Sequence, residues 1–407
     1  MRVSIALGRL PGFDWSVLRE ERHFLFRRIA DRHRAVLAVG ELERVEAPDF
    51  DQFGRARDWY FATLPYEWDE AIHHKEEADP APGTWFVPRF VVEWKNEEAW
   101  IHVRPSDEDG ARQWAEKALV NTADEGSMPR IAWTLRCERE RYLANVRRLL
   151  AHIQRGDIYE INYCTTRTAT VPDLDPFQVF RTLLLHADAP FAAFARSDDG
   201  YVLCASPERF LAFDGRRVTG QPMKGTRPRS FESATDQRYK EELESDAKER
   251  SENIMALDVM RNDLSRIAAS STVEVEELCA VRSYPRVHQM VSTVSALIAE
   301  GRTPLDMLRA AFPMASMTGA PKVRAMELIR EVEDGPRGMF SGSLGFLAPD
   351  GTGDFNVVIR SLLFNAGSGH LSLTTGSAIT ARCDAGQEFE ECQVKALSVI
   401  DALHDDR

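Results

Sequence analysis

The sequence is short of the features that would mark a membrane, secreted, metal-thiolate or nucleic-acid-binding protein. No stretch approaches the ~20 apolar residues of a membrane span, and Met1-Arg2-Val3-Ser4-Ile5-Ala6-Leu7-Gly8 is too short an apolar run for a signal peptide. The six cysteines (Cys137, Cys164, Cys204, Cys279, Cys383, Cys392) form no C-x-x-C pair and lack the companion histidines of a zinc site. Thiols scattered in this way suit a reducing compartment. Lys and Arg number 51 against 64 Asp and Glu, and a net charge of −13 argues against nucleic acid as a partner. The short basic runs Arg27-Arg28 and Arg147-Arg148 read as solvated helix faces. There is no solenoid repeat and no low-complexity tract. Tryptophan is scarce after residue 120, where only Trp133 remains; Trp15, Trp59, Trp68, Trp85, Trp94, Trp100 and Trp114 lie before it, in a stretch without a chemical constellation. What is left is a globular chain expected in the cytoplasm. Its 407 residues, 43% hydrophobic and 28% charged, suffice for one large core or two smaller ones.

Periodicity supplies the elements. Residues 20–35, rich in Arg and broken by Phe24, Leu25, Phe26 and Ile29, read as a helix, and 90–94 and 99–103 as strands around the turn 95–98. Polar, small residues from Asn121 to Pro129 form the best linker. It separates an N-terminal region, 1–125, from a domain at 130–404. A helix at 138–154 carries Tyr142, Val146, Leu149, Leu150 and Ile153 on one stripe. A strand at 158–164, a helix at 176–186, strands at 191–196 and 201–204 and a hairpin from 210 to 219 follow. One long helix is expected over 235–268, then strands at 272–278 and 286–294 and helices at 304–312 and 321–332. Strands at 340–347, 355–364 and 371–379 precede a last helix at 386–403.

One turn stands out chemically: Pro222-Met223-Lys224-Gly225-Thr226-Arg227. Proline fixes its own φ and glycine permits backbone geometry that a Cβ resists, so the lysine amine can be held in a defined direction. A solvated surface lysine is the plain alternative. Glu249 and Glu252 stand three residues apart in one expected helix, and Glu388, Glu391 and Lys395 share a face of another. Together the glutamates offer oxygen ligands to one hard cation, for which magnesium is suited. Arg227, Arg360 and Lys322 can hold anionic groups of a substrate.

Residues 140–404 resemble the chorismate-utilising enzymes, the family of anthranilate synthase component I and aminodeoxychorismate synthase component I. The resemblance rests on Gly156-Asp157-Ile158-Tyr159-Glu160-Ile161-Asn162, Ser206-Pro207-Glu208-Arg209-Phe210, Pro222-Met223-Lys224-Gly225-Thr226, Glu249 to Arg266, Thr318-Gly319-Ala320-Pro321-Lys322 and Ile359-Arg360-Ser361. It implies an α+β fold, with large antiparallel sheets packed as a sandwich, helices outside and the N-terminal region completing the sandwich. Magnesium is implied as cofactor, with Glu252 and Glu391 as ligands and Glu388 in its water shell. Lys224, Glu249 and His288 are the implied catalytic residues: Lys224 as nucleophile on the ring, Glu249 as acid/base near the departing hydroxyl. Thr226, Ser316, Lys322, Arg360, Gly376, Ser377 and Ala378 are implied substrate contacts. An attacking amine must be neutral, and Arg227 is a candidate neighbour to make it so.

Position 224 discriminates within the family, since anthranilate synthases usually place alanine there and many aminodeoxychorismate synthases place lysine. The expected reaction is therefore chorismate plus ammonia to 4-amino-4-deoxychorismate, for 4-aminobenzoate and folate synthesis. Anthranilate synthesis and an inactive chorismate-binding subunit are the alternatives. No cysteine sits in a glycine-flanked nucleophile elbow, so a separate glutamine amidotransferase subunit is expected to supply the ammonia. Phe340, Ala315, Glu160 and Gly376-Ser377-Ala378 depart from the family pattern; Glu160 replaces a frequent glutamine. The triplet Ser206-Pro207-Glu208 reads as packing at a strand end or as part of an effector region.

Overall fold

The computed structural model describes residues 2–9, 13–30, 33–68, 83–96, 98–120, 128–284 and 287–403. Glu97 and all but the last two residues of the expected linker lie outside this set. The first third supplies β1 (Val3–Arg9), β2 (His23–Arg28), β3 (Arg34–Val45), β4 (Tyr60–Leu64), β5 (Thr84–Lys95), β6 (Glu98–Val103) and α1 (Glu108–Ala118). The chain continues through β7 (Thr134–Leu135), α2 (Arg139–Arg155), β8 (Glu160–Thr170), α3 (Pro176–Ala187), β9 (Ala193–Ser197), β10 (Gly200–Cys204), β11 (Arg209–Asp214), β12 (Arg217–Gly220) and β13 (Met223–Pro228). Then come α4 (Ser233–Ser245), α5 (Ala247–Ser265), β14 (Glu274–Ser283), β15 (Val287–Leu297), α6 (Pro304–Ala311), β16 (Gly319–Ala320) and α7 (Lys322–Val332). The last elements are β17 (Ser343–Leu347), β18 (Thr352–Asn356), β19 (Ser361–Asn365), β20 (His370–Thr380) and α8 (Ala385–Asp401).

The architecture is the expected α+β type, a large antiparallel sheet network with helices. Two wings diverge from β5. One runs β5-β3-β2-β9-β10-β19-β20-β8, with β6 and β1 on the other side of β5. The other runs β5-β4-β17-β18-β11-β12-β15, where β15 also carries β13 and β14. Aromatic rings fill the first core: Phe24, Phe26, Phe180 and Phe194 pack with Trp15. Leu257 and Met260 of α5 meet Phe210, Phe312 and Phe355 in the second. Each fully buried Phe or Leu contributes roughly 1.5–3 kcal/mol, so these clusters hold both wings to their helices. Over β8 and β20 lie α2, α7 and α8, joined by Tyr142, Val146, Leu149, Ile329 and Cys392. No helix among the described residues is long and apolar enough to cross a membrane.

Four expected elements differ. Where a helix is expected over 20–35, the described residues form β2 and the start of β3 instead. Arg27, which suggested a solvated face, is fully buried on an ion pair with Asp354 at 2.6 Å, so its charge marks a tertiary partner rather than solvent. The stretch 235–268 is two helices, because the extended backbone of Asp246 ends α4 while its side chain accepts from the amides of Lys248 and Glu249, starting α5. The strand expected over 355–364 is two strands in different wings: β18 pairs with β11, β19 with β10, and the chain crosses between them at 357–360. Phe340 precedes β17 rather than opening it.

Candidate functional site

The ends of the two wings meet over a cavity of about 690 Å³. Its walls are β13 from one wing, Asn162 of β8 and Thr374, Thr375, Gly376 and Ala378 of β20 from the other, and α5 facing α8. Glu208, Val287, Gln289, Ser316, Phe340 and Arg360 also line it.

Lys224 enters this cavity from β13. Gly225 has φ +81°, and a Cβ there would lie 3.0 Å from Glu249 Cβ and Leu243 Cδ1, so glycine lets β13 run close against α5. The Lys224 ammonium donates to Glu160 Oε1 at 2.9 Å. Burial works to lower its pKa, but Glu160, Glu252 and Glu208 outweigh burial and hold it above the ordinary lysine value. Arg227, the neighbour expected to promote the neutral amine, is instead engaged by Asp246 at 2.8 Å and Glu249 at 3.6 Å. Glu160, read from the sequence as a departure from pattern, is thus the proton acceptor nearest the amine.

Glu208 is the site residue that sequence reasoning missed. It is buried beside Ser316, whose hydroxyl donates to Glu208 Oε1 at 2.7 Å. Burial pushes its pKa up to about 7, with the Ser316 hydrogen bond and the Lys224 charge opposing. A carboxyl poised there can donate a proton near neutral pH. The available signal was an acid in the otherwise uncharged run between β10 and β11.

Glu249, Glu252, Glu388 and Glu391 all line the cavity. Burial raises the pKa of Glu249 and Glu388 and takes Glu252 to about 7. Burial would raise Glu391 too, yet the Lys395 ammonium at 2.6 Å holds it below the usual carboxylate range. Glu252 Oε1 is buried without a hydrogen-bond partner. An orphaned carboxylate oxygen among further carboxylates fits an oxygen-seeking divalent cation. Among the described residues no three such groups converge closely enough to hold an ion as they stand. The Lys248 ammonium lies between two of them, 3.3 Å from Glu388 Oε1 and 3.8 Å from Glu252 Oε1.

Of the expected substrate contacts, Thr226, Ser316, Arg360, Gly376 and Ala378 line the cavity. Arg360 has φ +49°, its pKa is lowered by burial, and its guanidinium makes no ion pair or hydrogen bond among the described residues. Such a cation is available to an anionic ligand. Three residues are not brought to the cavity. His288 is buried on the other face of β15, tied to Ser283 at 2.9 Å and Asp236 at 3.0 Å, while Val287 and Gln289 face the cavity. Alternation along the strand separates them. Ser377 likewise points away from its neighbours on β20, towards Tyr142 OH at 2.8 Å. Lys322 is buried on Asp263 at 2.5 Å and Ala311 O at 2.9 Å. These contacts hold the His288, Ser377 and Lys322 side chains outside the cavity lining.

The sequence profile described as chorismate binding enzyme matches residues 18–401. Anthranilate synthase component 1 of Thermus thermophilus is 38% identical over 303 residues, covering 74% of this chain and 65% of that protein. Aminodeoxychorismate synthase component 1 of Klebsiella aerogenes is 40% identical over 272 residues, covering 67% and 60%. The chain therefore spans less than two thirds of the length of either relative. Among solved structures, the menaquinone-specific isochorismate synthase of Escherichia coli superposes with a TM-score of 0.82 at 16% identity, over 99% of this chain and 94% of that one. Anthranilate synthase component I of Streptococcus pneumoniae gives 0.75 at 20% identity, over 93% and 92%. At these identities the structural likeness is one of fold, while the profile and the relatives carry the kinship of sequence: the chain belongs to the chorismate binding enzymes.

Proposed function

We propose that the chain is an aminodeoxychorismate synthase component I, replacing the C4 hydroxyl of chorismate with an amino group. The observation that carries this reading is the Lys224 amine inside the cavity, with Glu160 hydrogen-bonded to it at 2.9 Å. Because Lys224 rests as an ammonium, it must first pass a proton to Glu160. The neutral amine then attacks ring carbon C2, the two ring double bonds shift, and the C4–O bond breaks. Glu208, neutral up to about pH 7, protonates the departing hydroxyl to water. Ammonia adds at C4, the double bonds shift back, and the C2–N bond breaks to release Lys224 as an amine. That amine regains its proton from Glu160, while the new C4 ammonium gives one to Glu208. Glu249 is the acid/base group the resemblance implies; burial raises its pKa against the pull of Arg227 at 3.6 Å, but Glu208, raised to about 7 and free of an arginine partner among the described residues, is the better proton donor.

Arg360 would take the enolpyruvyl carboxylate in a bidentate fork. Magnesium held by Glu252, Glu388 and Glu391 would place positive charge beside the ring carboxylate. The ammonia would come from a separate glutamine amidotransferase subunit, and a separate lyase would complete 4-aminobenzoate.

Anthranilate synthesis is the second reading, favoured by the Thermus thermophilus relative. Incubation with chorismate, magnesium and ammonium salt, followed by mass and absorbance of the product, separates the two. The proposal expects aminodeoxychorismate and at least a hundredfold loss of turnover in Lys224→Ala; fluorescent anthranilate would overturn it. Undiminished aminodeoxychorismate formation by Lys224→Ala would remove the lysine from the mechanism.

A further inference from the structure

Lys248 stands where helix physics does not favour a lysine. It is the second residue of α5, after the capping Asp246, so its charge faces the positive end of the helix dipole. A lysine four residues before a glutamate is also the weaker orientation of a helical ion pair. Its position is explained by carboxylates: Glu252 Oε1 at 3.8 Å on the same helix and Glu388 Oε1 at 3.3 Å on α8. Of the other cavity lysines, Lys224 is held by Glu160 at 2.9 Å, and Lys395 is anchored twice, by Glu391 at 2.6 Å and by Gly376 O at 2.9 Å. Lys248 has only the carboxylates among its described partners, and its side chain is 53% exposed. It can therefore swing into solvent without abandoning a backbone contact.

We propose that Lys248 is a displaceable counter-cation of the carboxylate site. Its ammonium neutralises Glu252 and Glu388 while no divalent cation is present, competes for the same oxygens, and leaves when the cation arrives. The inference rests on the reading of Glu252, Glu388 and Glu391 as the cation-holding set. Three consequences follow from competition for shared oxygens. The resting site keeps α5 and α8 together without a metal. The intrinsic affinity for a divalent cation is weaker than the carboxylates alone would give. A substrate carboxylate that adds a ligand to the cation then tips the exchange, so metal retention is coupled to substrate.

Manganese(II) titration followed by electron paramagnetic resonance tests this on the intact chain, without substrate and independently of turnover. Lys248→Met is expected to bind manganese about three- to tenfold more tightly than the parent. Its metal-free melting temperature should be lower than the parent's, and its rise on adding manganese larger. Lys248→Gln, closer in polarity, should shift the affinity in the same direction and covers the case in which the methionine variant folds poorly. Manganese affinity that is unchanged or weaker in both variants, with binding still abolished by Glu252→Gln, overturns the role of Lys248 and leaves the carboxylate site standing. No manganese binding by the parent or by either Lys248 variant overturns both.

Discussion

Lys224 and Glu208 lie in one cavity, yet burial leaves the first charged and drives the second towards neutrality. Lys224 meets three carboxylates, whose combined attraction exceeds the cost of desolvation. The Ser316 hydroxyl, a lysine that Glu160 already neutralises and the Met223 amide do not offset desolvation of Glu208, so its pKa reaches about 7 against an ordinary 4.5. The folded chain thus holds this proton more tightly than the unfolded chain. Stability is greatest below the unfolded value and falls as pH rises through the window from about 4.5 to about 7, by on the order of 3 kcal/mol. Glu208→Gln, which stays neutral, is expected to match the parent near pH 5 and to exceed it by a few kcal/mol at pH 8. Denaturant unfolding at the two pH values checks this, and an unchanged gap between the proteins would refute it.

At the scale of elements, the site depends on how closely β13 and α5 approach. Asp246 separates α4 from α5 and caps the latter, so Glu249 and Glu252 emerge in its first two turns, facing the cavity. Gly225 on the opposing strand has no room for a side chain and a φ that side chains resist. Gly225→Ala is expected to cost about 1–3 kcal/mol of stability from strain and crowding, with reduced turnover because Lys224 and Glu249 are pushed apart. Urea midpoints and initial rates measure both effects. A stability loss below about 0.3 kcal/mol would show that the strand relaxes freely.

The whole molecule is organised by exchanges between its N-terminal and C-terminal parts. Strand β9 takes β2 as a neighbour, and β17 takes β4, so residues before 120 close edges formed by residues after 130. Removing residues 1–125 would expose both edges and the aromatic core around Phe194. Such a fragment is expected to aggregate or to show no cooperative melting transition, which calorimetry and size exclusion would detect. A soluble, cooperatively melting fragment would establish an independent domain. The crossing at 357–360 has the opposite effect: it links the wings and delivers Arg360 into the cavity between them.

Local periodicity was enough to determine most helices and to single out the lysine and glutamates that share the cavity, while the ordered motifs carried the resemblance that implied the family and the α+β class. Those features depend on neighbours in sequence: the i, i+3 face of a helix or the stiffening of a turn by Pro222 and Gly225. Only tertiary structure decided that Arg27 belongs to a buried strand, because its charge is satisfied by Asp354, 327 residues away. Likewise it turned His288 and Ser377 away from the cavity, since strand alternation assigns a face only once register is set. The charge state of Lys224, the raised pKa of Glu208 and the Lys248 bridge between α5 and α8 depend on which acids gather around each group. That gathering joins residues as far apart as 248 and 388, and no spacing along the chain encodes it.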